Sequence, residues 1–187
     1  GGFSKLVPNR FDAALDAASE KKGEQRLEKM VSGRYMGVLF DMALAELLGA
    51  KGRTYGFTSI DLSRMLEDVS EGAEVTATIV ETMTGVTLAA EDAVRVRELA
   101  RTIVVRSVRL IAATFVGTLW QTTGGGEMRP QHIAVDGSVY EKVPLVAHHL
   151  RGALDKLLLD EAVNIQIILE NAGSALGAAL AAAMTER

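Results

Sequence analysis

Leu27-Glu28-Lys29-Met30-Val31-Ser32-Gly33-Arg34-Tyr35-Met36-Gly37 reads as one helix that stops at a Ser-Gly pair and hands the chain directly to another. Beyond the break, Met36, Leu39, Phe40, Ala43, Leu44, Leu47 and Leu48 repeat with helical period. A junction of this kind leaves the first backbone N–H groups of the second helix without intrahelical partners, so they face any polar group that approaches. Much later, Val135-Asp136-Gly137-Ser138-Val139-Tyr140 follows the aliphatic run Ile133 to Val135, which reads as a buried strand. The small polar residues after it predict a tight turn at the strand's carboxyl end, where open α/β sheets bind their ligands.

Working outward, Asn9 is placed to cap a helix from Arg10 to about Ser19, with Phe11 and Leu15 on its buried side and Lys21-Lys22-Gly23 ending it. Further helices are expected over Ser59 to Glu67 and roughly Glu74 to Thr82. From Glu91 to Gln121, the near-helical spacing of Val94, Leu99, Ile103, Ile111, Phe115 and Leu119 predicts one long helix or two stacked ones, with Arg106 and Arg109 on the more polar face. Gly124-Gly125-Gly126 reads as a flexible turn, since no strand precedes it as a phosphate loop would require. The aliphatic runs His132 to Val135 and Val163 to Leu169 predict strands. Between them a helix opened by Pro144 turns Val146, Leu150, Leu154, Leu157 and Leu158 inward, which makes a parallel βαβ unit. Asn171 to Ser174 then forms a second turn, and Ser174 is suited to cap the Ala-rich helix running to about Glu186. The expected organisation is one segment over 1–187, mainly helical over 1–128 and βαβα over 129–187.

Composition narrows the function. The chain has 187 residues, 48% hydrophobic and 24% charged, enough for one substantial core. A net charge of −4 without a basic stripe argues against nucleic acid as a partner. The absence of cysteine excludes disulfides and thiolate metal sites and fits a cytoplasmic protein. Arg106 and Arg109 interrupt the longest apolar stretch, so no segment is expected to reach the ~20 apolar residues of a membrane span. His148 and His149 are adjacent and so point about 100° apart on a helix, which is poor geometry for chelating one metal ion. Glu28, by its residue type alone, reads as a solvated charge beside Lys29, and Gln25 lies three residues earlier on the same helical face.

The Glu28-Lys29-Met30 run followed by Ser32-Gly33-x-Tyr35-x-Gly37, with Gly1-Gly2-Phe3-Ser4 before it and Asp136-Gly137-Ser138 and Gly173-Ser174 after it, closely resembles the hexokinase family over nearly all of the chain. The stretch between about Gly52 and Ala90 is only loosely similar. The match is to the C-terminal part of the large lobe of a bacterial-type hexokinase. It implies an α/β fold, a helix-rich lobe of the hexokinase and actin-like ATPase (ribonuclease H-like) architecture. It also implies a hexose, glucose foremost, and ATP with Mg2+ as ligands. By resemblance, Glu28 accepts hydrogen bonds from sugar hydroxyls and Gln25 adds a second contact. Gly33 and Arg34 line the adenine side, Asp136, Gly137, Ser138 and Val139 form the adenosine-side turn, and Gly173 with Ser174 offer N–H groups to ribose or phosphate oxygens.

The resemblance further implies that the general-base aspartate, the first phosphate loop and other sugar ligands lie ahead of Gly1 in a second lobe, so that the segment alone is inactive. Three positions depart from the family: Leu27 replaces a usual Phe, Val38 a common Glu, and Ala175-Leu176 a stretch where many members carry a lysine. The last change removes a charge contact to phosphate. A non-catalytic sugar or nucleotide sensor, or a helical scaffold without a ligand, stands as the alternative.

Overall fold

The computed structural model describes residues 5–124, 130–143, 145–159 and 164–170, with Gly177, Ala182 and Ala183 beyond them. Helices α1 (Arg10–Ala18), α2 (Arg26–Val31), α3 (Gly33–Leu47), α4 (Ser59–Glu67), α5 (Glu74–Thr84) and α6 (Ala90–Thr123) come first. Strand β1 (Gln131–Val135), α7 (Ser138–Lys142), α8 (Val146–Leu158) and β2 (Ile165–Leu169) follow.

Local chemistry sets the helix starts. Asn9 Oδ1 accepts the Phe11 and Asp12 N–H groups at 2.8 and 2.9 Å, while Asp12 accepts the Asn9 N–H at 2.9 Å, a reciprocal capping box. Asp61 likewise accepts the Thr58 N–H and hydroxyl at 2.8 and 2.7 Å, fixing the start of α4. Helix α1 ends at Ala18 with Ser19 as its cap, as expected, because the Ser19 N–H turns back to the Asp16 carbonyl.

Helix α6 is a single helix of 34 residues. Its buried seam is Ala93, Val96, Ala100, Val104, Val108, Ala112, Val116 and Leu119. Of the larger residues expected on that face only Leu119 belongs to it; Val94, Leu99, Ile103, Ile111 and Phe115 are half-buried at its margins. Alanines and valines let neighbouring helices come close to the α6 backbone, and the bulkier side chains fill the flanks. Arg109 is exposed as expected, but Arg106 bonds the buried Asp12 at 2.6 Å. An 18-residue window of α6 reaches a mean hydropathy of 1.5, so the arginines do not keep it below the length and apolarity of a span, contrary to the sequence reading. In this fold α6 packs against α2, α3, α4, α5 and α8, the position of a core helix.

Around this seam gather Met36, Phe40 and Leu44 of α3, Leu62 and Met65 of α4, and Val80 of α5. Phe57 meets Phe40 edge-on with ring centroids 5.0 Å apart. Leu47 leaves the predicted apolar stripe and is 68% exposed. The loop before α4 is tied to α3 by the buried Asp41, which accepts the Tyr55 and Gly56 N–H groups at 2.9 to 3.0 Å. Gly37 lets that loop lie directly on α3: a Cβ there would stand 2.4 Å from the Phe57 carbonyl oxygen and 2.7 Å from Thr58 Cα.

Strands β1 and β2 pair in parallel, from Gln131 opposite Ile165 to Val135 opposite Leu169. Helix α8 lies between them in sequence and packs on α6 through Val146, Leu150, Leu154 and Leu158; Leu157, expected inward, is 47% exposed, because it lies off their i, i+4 line. Strand β1 alternates half-buried and exposed positions rather than being buried throughout. The turn after it runs at once into α7, a five-residue helix that the sequence reading did not anticipate. Pro144, Gly125 and Gly126, the turn Asn171 to Ser174 and most of the Ala-rich segment lie outside the described residues.

At the α4–α5 junction the buried Asp68 accepts the Thr76 N–H and hydroxyl at 2.8 and 2.9 Å and the Ser70 N–H and hydroxyl. Arg97 of α6 donates to the Asp68 and Ser70 carbonyls at 2.8 and 2.6 Å. Burial alone would raise the Asp68 pKa, but the Ser70 and Thr76 donors outweigh it and hold it at about 2. The stabilisation is therefore complete above the unfolded carboxyl pKa near 4 and is lost as pH falls from there towards about 2. Urea unfolding across that window is expected to show a steep acid limb, and Asp68→Asn to flatten it while costing about 2 kcal/mol at neutral pH. Gly37→Ala is expected to destabilise the fold by about 1–3 kcal/mol in the same assay, since the clashing atoms are backbone.

Candidate functional site

The break between α2 and α3 is held from both sides. Ser32 is extended, its N–H returns to the Glu28 carbonyl at 2.9 Å, and its carbonyl accepts the Tyr35 and Met36 N–H groups at 3.1 Å. From α6, the Ser107 hydroxyl donates to the Val31 carbonyl at 2.8 Å, pinning the last turn of α2 to the core. One cavity opens on each side of this junction.

The first is a cleft of about 500 Å³ lined by Gln25, Glu28, Arg34 and Tyr35, among others. Gln25 and Glu28 are exposed towards solvent, and Gln25 adopts a left-handed conformation at φ +51° that begins α2. Lys29 does not pair with its neighbour Glu28. It is buried, and its Nζ donates to Asp16 Oδ1 at 2.6 Å and to the Lys21 carbonyl. The Lys29 hydrogen bond, helped by the Gly23 N–H, lowers the Asp16 pKa below the usual carboxylate value. Glu28 has no ion pair among the described residues, so its carboxylate oxygens stay available on the cleft wall.

The second cavity, of about 290 Å³, lies between Gly33, Val135, Asp136, Gly137, Val139 and Tyr140. Val108, Ile111 and Phe115 of α6 and Val146 and Leu150 of α8 complete its apolar wall. The fold thus joins Gly33 to the Asp136–Val139 turn, two segments distant in sequence. A Cβ on Gly33 would stand 2.8 Å from Val139 Cγ2 and 3.4 Å from Ser59 Oγ, so glycine permits the approach of α7 and α4. Gly137, at φ +150°, has open space around it, which leaves its backbone accessible. Ser138 is the first residue of α7.

Arg34 lines the first cleft rather than the second, with its guanidinium 5.6 Å from the Tyr35 ring centroid. Gly173 and Ser174 lie outside the described residues. Sequence reasoning missed Ser59, which abuts Gly33, and a third cavity of about 560 Å³ that contains Ser59, Arg64 and Lys142 and shares Val139 with the second. No local signal marked these residues, because Ser59 and Arg64 show only the pattern of the amphipathic helix α4, and Lys142 ends the five-residue α7. His148 and His149 stack edge-on at 5.6 Å, and no group of three or more metal-ligating side chains occurs among the described residues.

The family model described as Hexokinase matches residues 1–184. Hexokinase-2 of Rattus norvegicus is 34% identical over 195 residues, covering 97% of this chain and 21% of its own length. Hexokinase-7 of Oryza sativa subsp. japonica is 33% identical over 200 residues, covering 98% of this chain and 43% of its own length. The chain therefore spans between about a fifth and two fifths of these relatives. A crystal structure of hexokinase superposes with a TM-score of 0.74 at 24% identity over 90% of this chain and 39% of that one. A hexokinase from Schistosoma mansoni, solved with glucose, superposes at 0.70 and 21% identity over 89% and 39%. These likenesses show the helix-rich α/β fold with its small parallel sheet.

The Gly33–Val139 contact predicts a sign reversal. Gly33→Ala is expected to destabilise the chain despite alanine's better helix propensity, and to become neutral or stabilising once Val139→Ala removes the opposing methyl. A double-mutant cycle in urea checks this; equal effects in both backgrounds would show that the contact does not constrain the junction.

Proposed function

We propose, from the premise that the chain belongs to the hexokinase family, that it supplies one wall of the hexose pocket and the adenosine platform of an ATP-dependent hexokinase. The reaction moves the γ-phosphoryl of MgATP to the 6-hydroxyl of glucose or a related hexose. The observation that carries this reading is that two cavities flank one helix break, with Gln25 and Glu28 on one and Gly33, Asp136, Gly137 and Val139 on the other. Phosphoryl transfer depends on holding two substrates in a fixed mutual position, and a shared backbone junction does that.

On the sugar side, the Glu28 carboxylate offers two acceptor oxygens to paired hydroxyls, and the Gln25 amide can both donate and accept. On the nucleotide side, the apolar walls suit a planar base, and the open backbone at Gly137 admits close approach. Ser138 stands at the start of α7 beside this platform, and by family resemblance Gly173 and Ser174 offer N–H groups to ribose or phosphate oxygens. Arg34 opens on the cleft side of the junction, so in this reading it serves a nucleotide phosphate rather than the base. Magnesium would come in with the nucleotide and would neutralise phosphate charge there; no group of three or more metal-ligating side chains occurs among the described residues to hold it separately. The sugar wall falls in the helical unit 1–128 and most of the platform in the βαβα unit 129–187. The acceptor of the hydroxyl proton is assigned outside these residues. In this reading the protein acts in the cytoplasm, unlike a Nicotiana tabacum relative named a chloroplastic hexokinase.

Glucose phosphorylation by the full-length parent tests the assignment. Glu28→Ala is expected to raise KM for glucose at least about tenfold with little change in KM for ATP. Gly137→Val, which no longer fits φ +150° and fills the open space, is expected to do the reverse. A folded parent that phosphorylates no hexose would overturn the kinase reading.

A further inference from the structure

We propose that the groove between α6 and α8 is a binding site for a phosphate-sized oxyanion, held by Arg109, Lys156 and His149. This cavity of about 280 Å³ shares no lining residue with the cavities at the α2–α3 break. Gly152 and Ala153 leave the space, and Arg109, His148, His149 and Lys156 surround it without a single carboxylate. Such a lining is unexpected in a chain whose 24 acidic residues outnumber its 20 lysines and arginines.

The charge pairing of the two helices isolates this spot. On α6, Arg95, Arg97, Arg101 and Arg106 each have a carboxylate within 4.0 Å, and on α8 Arg151 has Asp155 at 2.9 Å. Arg109 is the one arginine of these helices without such a partner among the described residues, and Lys156 also has none. Both are exposed and free to move onto a ligand. Beside them, His149 Nε2 is buried and makes no hydrogen bond. A buried imidazole nitrogen without a partner is costly, and an oxyanion would satisfy it.

The groups facing His149 are His148 on its own helix and Arg101 and Arg109 on α6, and Lys156 lines the same cavity. Burial first, then His148, Arg101 and Arg109, lower the His149 pKa. A bound anion would oppose the cationic contribution, so anion binding and proton uptake at His149 should reinforce one another. Phosphate esters and the free ion share the chemistry that these donors recognise.

Inorganic phosphate titrated against chloride at constant ionic strength, with the imidazole resonances followed by NMR, tests the site. The expected result is a saturable shift at His149, tighter at pH values where the imidazole is protonated. Arg109→Gln and Lys156→Gln should each weaken it at least about tenfold without changing the melting temperature, because both side chains face solvent. His149→Gln should remove the pH dependence. Phenyl phosphate in a parallel titration separates the sources: equal affinity assigns the site to phosphomonoesters, and weaker binding assigns it to the free ion. A shift that never saturates, or equal affinity in both charge variants with an intact amide spectrum, would overturn the proposal.

Discussion

Close approach to the backbone of α6 is the constraint on which the rest of the structure depends. Its seam of alanines and valines lets α3, α4, α5 and α8 pack against one rod, and burial of that shared face supplies the main driving force for folding. Polar groups on the same helix fix what the apolar seam leaves unspecified. Arg97 holds the carbonyls of the α4–α5 junction, Arg106 reaches Asp12 of α1, and Ser107 holds the end of α2. Apolar packing alone permits sliding and rotation; these directional bonds select one register at two levels along the rod, at Arg97 and at the adjacent Arg106 and Ser107.

The electrostatics of the α2–α3 junction follow from the same arrangement. Lys29 is drawn inward by Asp16 and by the Lys21 carbonyl, and this leaves the neighbouring Glu28, which lines the same cleft, without its obvious counter-charge. A residue that would ordinarily be a neutralised surface carboxylate thus becomes an available acceptor. On the other side of the junction the selection is steric. Gly33 contributes by lacking a side chain, and only that absence allows Val139 and Ser59 to converge there.

Much of this was legible in the sequence, for identifiable reasons. Helix starts were visible where the signal is local, as at Asn9 with Asp12, and so was the parallel pairing of two aliphatic runs around a helix. The motif around Glu28 and Gly33 and the turn at Asp136 to Val139 led to the residues that line the two cavities. The face of α6 was misread because size was taken as the mark of burial, whereas close packing favours the small side chain in the seam. Arg106 looked like a solvent-facing charge because its partner Asp12 is 94 residues away. Helix α7 was missed because five residues carry too little periodicity to register, and that Gly33 and Arg34 line different cavities was not visible in a motif that lists them side by side, because adjacent helical residues point about 100° apart.

Helix α6, at 34 residues, is a strut ~51 Å long. Ser107 on it anchors the wall of one cavity, and Ile111 and Phe115, one and two turns further along, form part of the other. The spacing between the two cavities is thereby metered in helical turns, by a body that has no joint between the points of attachment. Any opening or shutting around a ligand would have to swing other parts of the protein against this frame, since the frame itself cannot lengthen or fold. A kink introduced between Ser107 and Phe115 would break the second wall itself, to which Val108, Ile111 and Phe115 all contribute, and shift what remains of it relative to the first.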